Sequence, residues 1–308
     1  MRNRPFEIII IAVLVFLLPG ILCTFMLNRK GEIPNNREDS VDIFFDSEYI
    51  SVESSSDLSE ATIYISVLDM NGVMHQMDLD TYLTAVVLCE MPAEFEFEAL
   101  KAQAIVARTY ALKKATSGGK HAEAAVCMNS SCCQGYFHPD DYLEHGGQAD
   151  LLEKVRRAVE ETEDLVIVFE GELIDATYFS CSGGRTEDAV AVWGSDIPYL
   201  RSIESPGEES ATHYTDTVCF SINEISNRLN IEIEKLAGQW ISNITYTDGG
   251  GVNTLDICGE TYTGTQLRQL LGLRSTAFMI TSIGQSVTIT TKGFGHRVGM
   301  SQYGAEAM

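Results

Sequence analysis

Three stretches of this sequence carry side chains that could do chemistry. The first is Glu90, within Cys89-Glu90-Met91-Pro92. Val87, Cys89 and Met91 flank it, and an apolar setting favours a carboxyl that keeps its proton, as a general acid must. The plainer reading is an N-terminal helix carboxylate or one half of a buried ion pair. The second is a cluster of thiols and imidazoles: His121, Cys127, Cys132, Cys133, His138 and His145. The spacing of His121, Cys127 and Cys133 could bring one imidazole and two thiolates round a zinc ion, which favours nitrogen and sulfur ligands in a tetrahedral array. A Cys127–Cys133 disulfide, or simply free thiols, are the alternatives. The third is the glycine-rich run Gly293-Phe-Gly-His-Arg-Val-Gly-Met-Ser-Gln-Tyr-Gly304. Glycines around a single histidine suggest a tight loop where backbone approaches a ligand closely, while a core-facing His296 is the alternative.

The elements that must hold these groups can be read from patterning. From Glu98 onward the chain is rich in Ala, Leu, Lys, Gln and Arg without Gly or Pro, which predicts a helix. Phe97, Leu100, Ala104, Ala107 and Ala111 form an apolar, mostly small face, and Lys101, Gln103 and Arg108 project elsewhere, in positions suited to a ligand. Asp80 can cap a helix with Leu83, Val86 and Val87 on its apolar face. Pro92 excludes Met91 from the helical region, so that helix ends beside Glu90. Asn71-Gly72 between β-rich runs at 61–68 and 73–79 predicts a hairpin. Ser117-Gly118-Gly119 breaks the long helix. An amphipathic helix is expected over 148–164, a buried-type strand over 165–169 and another over 172–179, opening into Ser180-Cys-Ser-Gly-Gly-Arg-Thr186. Ser221 and Glu224 form a capping box, strands 241–247 and 252–258 flank a glycine turn, a short helix covers 265–271, and two strands cover 278–282 and 286–291. The fold class is α+β, with mixed helices and antiparallel hairpins.

A net charge of −23 over 308 residues argues against nucleic-acid binding through a basic surface. Eight scattered cysteines do not read as a disulfide framework. Residues 8–27 carry no charge and are long enough to cross a bilayer, so residues 1–30 are expected to form a single N-terminal transmembrane anchor. Residues 31–58 are polar, acidic and serine-rich, which predicts a flexible linker, and 59–308 form the folded domain.

Glu90-Met-Pro, Glu98-Ala-Leu-Lys-Ala-Gln-Ala104 and Ala107-Arg-Thr-Tyr-Ala111, together with the Ser-Gly-Gly and His296 stretches, resemble the stage II sporulation protein D family from about residue 59 to the last. That family includes lytic transglycosylases that cut peptidoglycan glycan strands, and a related branch includes amidase enhancers. The resemblance implies that Glu90 is the catalytic acid, with Lys101 and Arg108 orienting it or holding polar glycan groups. It makes Ser182 and Arg185 sugar contacts, and His296, Gln302 and Tyr303 substrate contacts or their supports, while Trp193 and Pro198-Tyr-Leu200 pack the Ser-Gly-Gly loop. Some clostridial members bind zinc through a histidine and two cysteines in this region, which implies His121, Cys127 and Cys133 as ligands of a structural zinc. Water, Cys132 or His138 would complete that set. Two departures stand out: Arg297 replaces the usual glycine, and family members usually continue past the final motif, which implies a shortened C-terminus.

The implied activity forms 1,6-anhydro-muramic ends on peptide-stripped strands during engulfment in endospore formation. The domain would lie outside the cytoplasm, held at the cell membrane, with the stage II sporulation proteins P and M as partners; a homodimer is compatible with this. The rivals are a non-catalytic wall-binding amidase enhancer and a zinc hydrolase acting on the peptide stem.

Overall fold

The computed structural model describes residues 62–232, 236 and 238–308. The expected membrane span over 8–27 and the linker over 31–58 lie outside the described residues; among those described, no helix is long and apolar enough to cross a membrane.

The fold is α+β. The Asn71-Gly72 hairpin forms as expected, with β1 (Tyr64–Leu68) antiparallel to β2 (Met74–Asp78). It feeds directly into α1 (Leu79–Glu90), and α2 (Phe97–Ser117) follows after a short extended turn. The cap of α1 is Asp78, not Asp80: the Asp78 carboxylate accepts from the Thr81 N–H at 2.8 Å. One face of α1 and the small-residue face of α2 enclose Leu83, Val86, Leu100, Ala104 and Ala107, all fully buried. Ala at these positions lets the helix axes approach closely, which is why the face is small as well as apolar. A third helix, α4 (Ala149–Glu160), closes this core with Leu152, Val155 and Val159. Between α2 and α4 lie the short strand β3 (Val126–Cys127), parallel to β1, and the short helix α3 (Pro139–Glu144).

The expected buried strand over 165–169 is instead a two-residue piece, β4 (Val168–Phe169), paired with β5 (Glu172–Leu173); Val168 and Phe169 are exposed. Val166, just before it, packs against the first core, and the Phe169 ring lies 5.2 Å from that of Tyr199. The chain then runs through β6 (Tyr178–Phe179) and the short helix α5 (Ala189–Trp193).

A second core forms between two antiparallel sheets and two helices. One sheet has the order β11–β12–β7, from β7 (Thr215–Ser221), β11 (Phe278–Ile283) and β12 (Ser286–Lys292). The other has the order β10–β9–β8, from β8 (Ile241–Tyr246), β9 (Val252–Ile257) and β10 (Glu260–Thr263). Helices α6 (Ile222–Leu229) and α7 (Gly264–Leu271) each begin with a complete capping box, Ser221–Glu224 and Thr263–Gln266. The chain returns to the first core through β13 (Met300–Ser301), which pairs parallel with β6, and ends in α8 (Gln302–Ala307).

Arg108, expected at a ligand, is placed otherwise. It is 1% exposed, and its guanidinium donates to Asp80 Oδ1 at 3.1 Å, to the Val159 carbonyl at 3.0 Å and to the Thr162 carbonyl. It ties α2 to the start of α1 and the end of α4. Leaving Asp80 without its cation while opening a cavity makes Arg108→Ala destabilising by about 3 kcal/mol, measured by urea unfolding of the full chain. A variant with parental stability and weakened glycan binding would reinstate the ligand role.

Candidate active site

Glu90 is the last residue of α1. Met91 adopts an extended conformation (φ −132°), as the following proline demands, and points its side chain into the core at 2% exposure. The Glu90 side chain thereby leaves the helix end toward the loop after β3. There its Oε1 accepts a short hydrogen bond from the Gly135 N–H, and its carbonyl accepts from Gln302 Nε2 at 2.8 Å. The surroundings are more polar than its sequence neighbours suggest, because tertiary contacts supply amides and phenols where the local sequence has thiol and thioether.

A buried chain of hydrogen bonds holds this arrangement. Tyr82 Oη donates to Gln134 Oε1 at 3.1 Å, and Gln134 Nε2 donates to Tyr178 Oη at 3.4 Å. Burial, together with the neighbouring Glu90 carboxylate, pushes the Tyr178 phenol well above its usual pKa, so it keeps its proton. Glu90 and Tyr178 line a cleft of about 800 Å³ that also takes in Cys132, Cys133, Trp193, His296 and Gln302. Among the described residues lining it, Glu90 is the only carboxylate.

The far wall comes from the C-terminal glycine-rich run. His296 is held by the Val298 N–H, which donates to Nδ1 at 3.1 Å, and its ring packs against Trp193 and Phe179 with centroids 5.3 and 5.7 Å away. Burial, helped by the charge of Arg268, pushes the imidazole down to about 4, so His296 is neutral at physiological pH. Arg297 takes the left-handed conformation, φ +67°, that a glycine would adopt without strain. Its side chain offsets that strain: it donates to the carbonyls of Ser182, Arg185 and Gly249 at 2.8, 2.8 and 2.6 Å, and lies 3.8 Å from the buried Glu187 carboxylate.

Other residues expected at the sugar have partners within the fold. Ser182 is fully buried, giving its N–H and hydroxyl to Glu208 at 2.6 and 2.7 Å. Burial raises the Glu208 pKa, but hydrogen bonds from Ser205, Ser182 and Cys181 outweigh it and leave the carboxylate below its usual value. Arg185 Nε bonds Ser202 Oγ and the Asp248 carbonyl, away from the cleft. Lys101 pairs with Glu98 at 3.3 Å and Glu161 at 3.7 Å on the outer side of α2. Gln103 is buried and accepts from Gln302 at 3.2 Å, so it steadies the residue that holds the Glu90 carbonyl. The Tyr303 ring packs edge-on against Phe95 at 5.0 Å. The structure thus brings Glu90, Gln103, His296 and Gln302 together. It adds Gln134, Gly135 and Tyr178, which carried no sequence signal beyond lying near the cysteine cluster and the Ser-Gly-Gly loop.

The thiol–imidazole cluster does assemble. The donor atoms of His121, Cys127, Cys132 and Cys133 all lie within 4.8 Å of one another. His121 Nε2 is 3.6 Å from both Cys132 Sγ and Cys133 Sγ, and the two sulfurs are 4.0 Å apart. Tetrahedral zinc with ordinary bond lengths requires edges of roughly 3.5 Å for N···S and 3.8 Å for S···S, so this donor set fits. Cys127, Cys132 and Cys133 are in the thiol form, and no disulfide joins Cys127 to Cys133. His138 is engaged elsewhere, its ring accepting the Asp140 N–H as the cap of α3.

The family model described as stage II sporulation protein matches residues 69–169. The chain is 36% identical over 305 residues to the stage II sporulation protein D of Bacillus amyloliquefaciens, covering 97% of this chain and 87% of that protein. It is 35% identical over 243 residues to the stage II sporulation protein D of Bacillus subtilis, covering 77% and 70%. Similarity extends at 27% identity to the amidase enhancer of Bacillus subtilis, over 73% of this chain and 37% of that protein. The chain belongs to the stage II sporulation protein D family.

Two measurements check the site. The His296 imidazole is expected to titrate near pH 4 by NMR, so stability falls as pH drops from about 6.5 toward 4, where the unfolded chain takes up a proton that the folded site refuses; a resonance titrating near 6.5 would contradict this burial. The full chain is expected to hold zinc through dialysis and to lose thermal stability on chelation. Cys132→Ser should weaken that retention, and His138→Ala should leave it intact.

Proposed function

We propose that this chain is a peptidoglycan lytic transglycosylase with Glu90 as its acid and base. The observation that carries this is the single carboxylate among the described residues lining the cleft. Glycoside hydrolases ordinarily need two carboxyl groups flanking the bond, one as acid and one as base or nucleophile. A lytic reaction needs one. Glu90 protonates the glycosidic oxygen as the bond breaks. Its carboxylate then removes the proton from the 6-hydroxyl of the muramic residue, whose oxygen closes on its own anomeric carbon to give the 1,6-anhydro end.

The neighbouring groups suit this use. The Gly135 N–H holds one carboxyl oxygen, and the neutral phenol of Tyr178 stands beside the carboxylate without offering a competing negative charge. His121, Cys127, Cys132 and Cys133 would hold a zinc ion, which when bound supplies a fixed cross-link in the loop preceding Gly135. Four protein donors would leave such an ion no open position for water, which disfavours a zinc hydrolase. The wider proposal follows the family: action on peptide-stripped strands during engulfment, an anchor in residues 8–27 with the domain outside the cytoplasm, and the stage II sporulation proteins P and M as partners. The similarity to a protein named amidase enhancer favours a second reading, a wall-binding module without catalysis of its own.

Mass spectrometry of products from denuded glycan strands separates these readings. The full chain should yield anhydro-muramic ends, and Glu90→Gln should lower their formation at least ~10²-fold with an unchanged melting temperature. Reducing ends would mean hydrolysis. A folded parent without cleavage would leave the amidase-enhancer reading standing.

A further inference from the structure

Trp193 lines the cleft that holds Glu90. Helix α5 is anchored by Ala189, fully buried against Leu200 and Val298, with Val192 packed on the same cluster. Trp193 closes the helix, and Gly194 follows in the left-handed conformation. The indole is left 44% exposed, at the cleft that holds Glu90. Among the described aromatic residues lining that cleft, Trp193 is the most open to solvent. The other tryptophan of the chain, Trp240, is buried at 6%.

An indole is the largest apolar side chain, and leaving it open forgoes burial that a purely structural residue would use. It is also held in place. The His296 ring lies 5.3 Å from it, tilted by 55°, and the Phe179 ring lies beyond His296 at 5.7 Å. An exposed ring backed by two others is a fixed platform rather than a loose side chain, so a ligand that covers it loses little ordering entropy.

The ligand chemistry follows from the ring. Its face is electronegative and apolar. A pyranose in a β-1,4-linked strand offers a face of axial C–H groups, made electropositive by the ring oxygen, while its hydroxyl and acetamido groups point out along the edges. Resting on the cleft reading above, we propose that Trp193 forms a sugar-stacking subsite that receives the C–H face of one N-acetylhexosamine ring of the strand. Polar groups on the ring's edges stay free for the amides and hydroxyls of the surrounding walls.

The test uses the full chain carrying Glu90→Gln, so that no turnover occurs, and a soluble oligomer of β-1,4-linked N-acetylglucosamine as probe. Binding should change and blue-shift the intrinsic fluorescence, with the signal retained in Trp240→Phe. Calorimetry should show affinity lowered at least about tenfold in Trp193→Ala and largely kept in Trp193→Tyr, with equal melting temperatures. Parental affinity in Trp193→Ala, a signal that belongs to Trp240, or no probe binding by the parent would each overturn the subsite. Product analysis with Glu90 restored separates this inference from the reaction. Probe binding that depends on Trp193, without anhydro ends, would sink the transglycosylase and leave the subsite. Anhydro ends formed equally well by Trp193→Ala would do the reverse.

Discussion

Much of this structure depends on the close approach of the Gly135 backbone to Glu90. A β-carbon at residue 135 would stand 2.7 Å from Cys89 Sγ and 3.0 Å from Glu90 Oε1, so only glycine lets the N–H reach the carboxylate. A contact that tight needs both sides positioned to within a few tenths of an ångström. On one side the rigid end of α1 is stopped by Met91-Pro92. On the other, the loop is pinned before Gly135 by the Tyr82–Gln134 hydrogen bond and after it by the Phe137 N–H donating to the Ala85 carbonyl at 3.0 Å. The thiol–imidazole cluster sits in the same loop, with Cys127 fixed by the pairing of β3 to β1 and Cys133 two residues before Gly135.

The C-terminal segment supplies the second constraint. Gln302 reaches across to the Glu90 carbonyl and to Gln103, and the Glu306 carboxylate accepts the Glu96 N–H at 2.6 Å, so α8 braces both ends of the turn between α1 and α2. The approach to α8 is itself held by buried charge. Glu208 gathers hydrogen bonds from the Ser-Gly-Gly loop, and Arg297 spans that loop and the turn after β8 while answering Glu187. Removing either charged partner would strand the other in a dry setting, which makes these links rigid rather than interchangeable. The cleft therefore draws on segments more than 200 positions apart: α1, the loop after β3, the strand β6 and the final glycine-rich run.

These buried groups also explain why several polar residues that look like ligand contacts are engaged inside the fold. Arg108 and Ser182 are spent on carbonyls and carboxylates inside the fold, whereas Trp193, an apolar residue that looks like core, faces the cleft. A side chain's chemistry says what it can bind, and its partner is chosen by whatever the fold brings within reach.

The sequence by itself determined the local elements. Asn71-Gly72 specified its hairpin, Pro92 ended α1 beside Glu90, the small-residue face of α2 marked the first core, and the capping box at Ser221 started α6 where expected. These rest on backbone sterics and periodicity acting over a few residues. It also singled out Glu90, His296, Gln302 and the thiol cluster. Only the tertiary structure decided that Asp80 pairs with Arg108, that Cys132 and Cys133 both meet His121, and that Gln134, Gly135 and Tyr178 surround the carboxylate. Each of those outcomes turns on contacts between residues far apart in the chain. A hydrogen bond or a burial cost is set by distance in space, and the spacing of letters does not encode that distance.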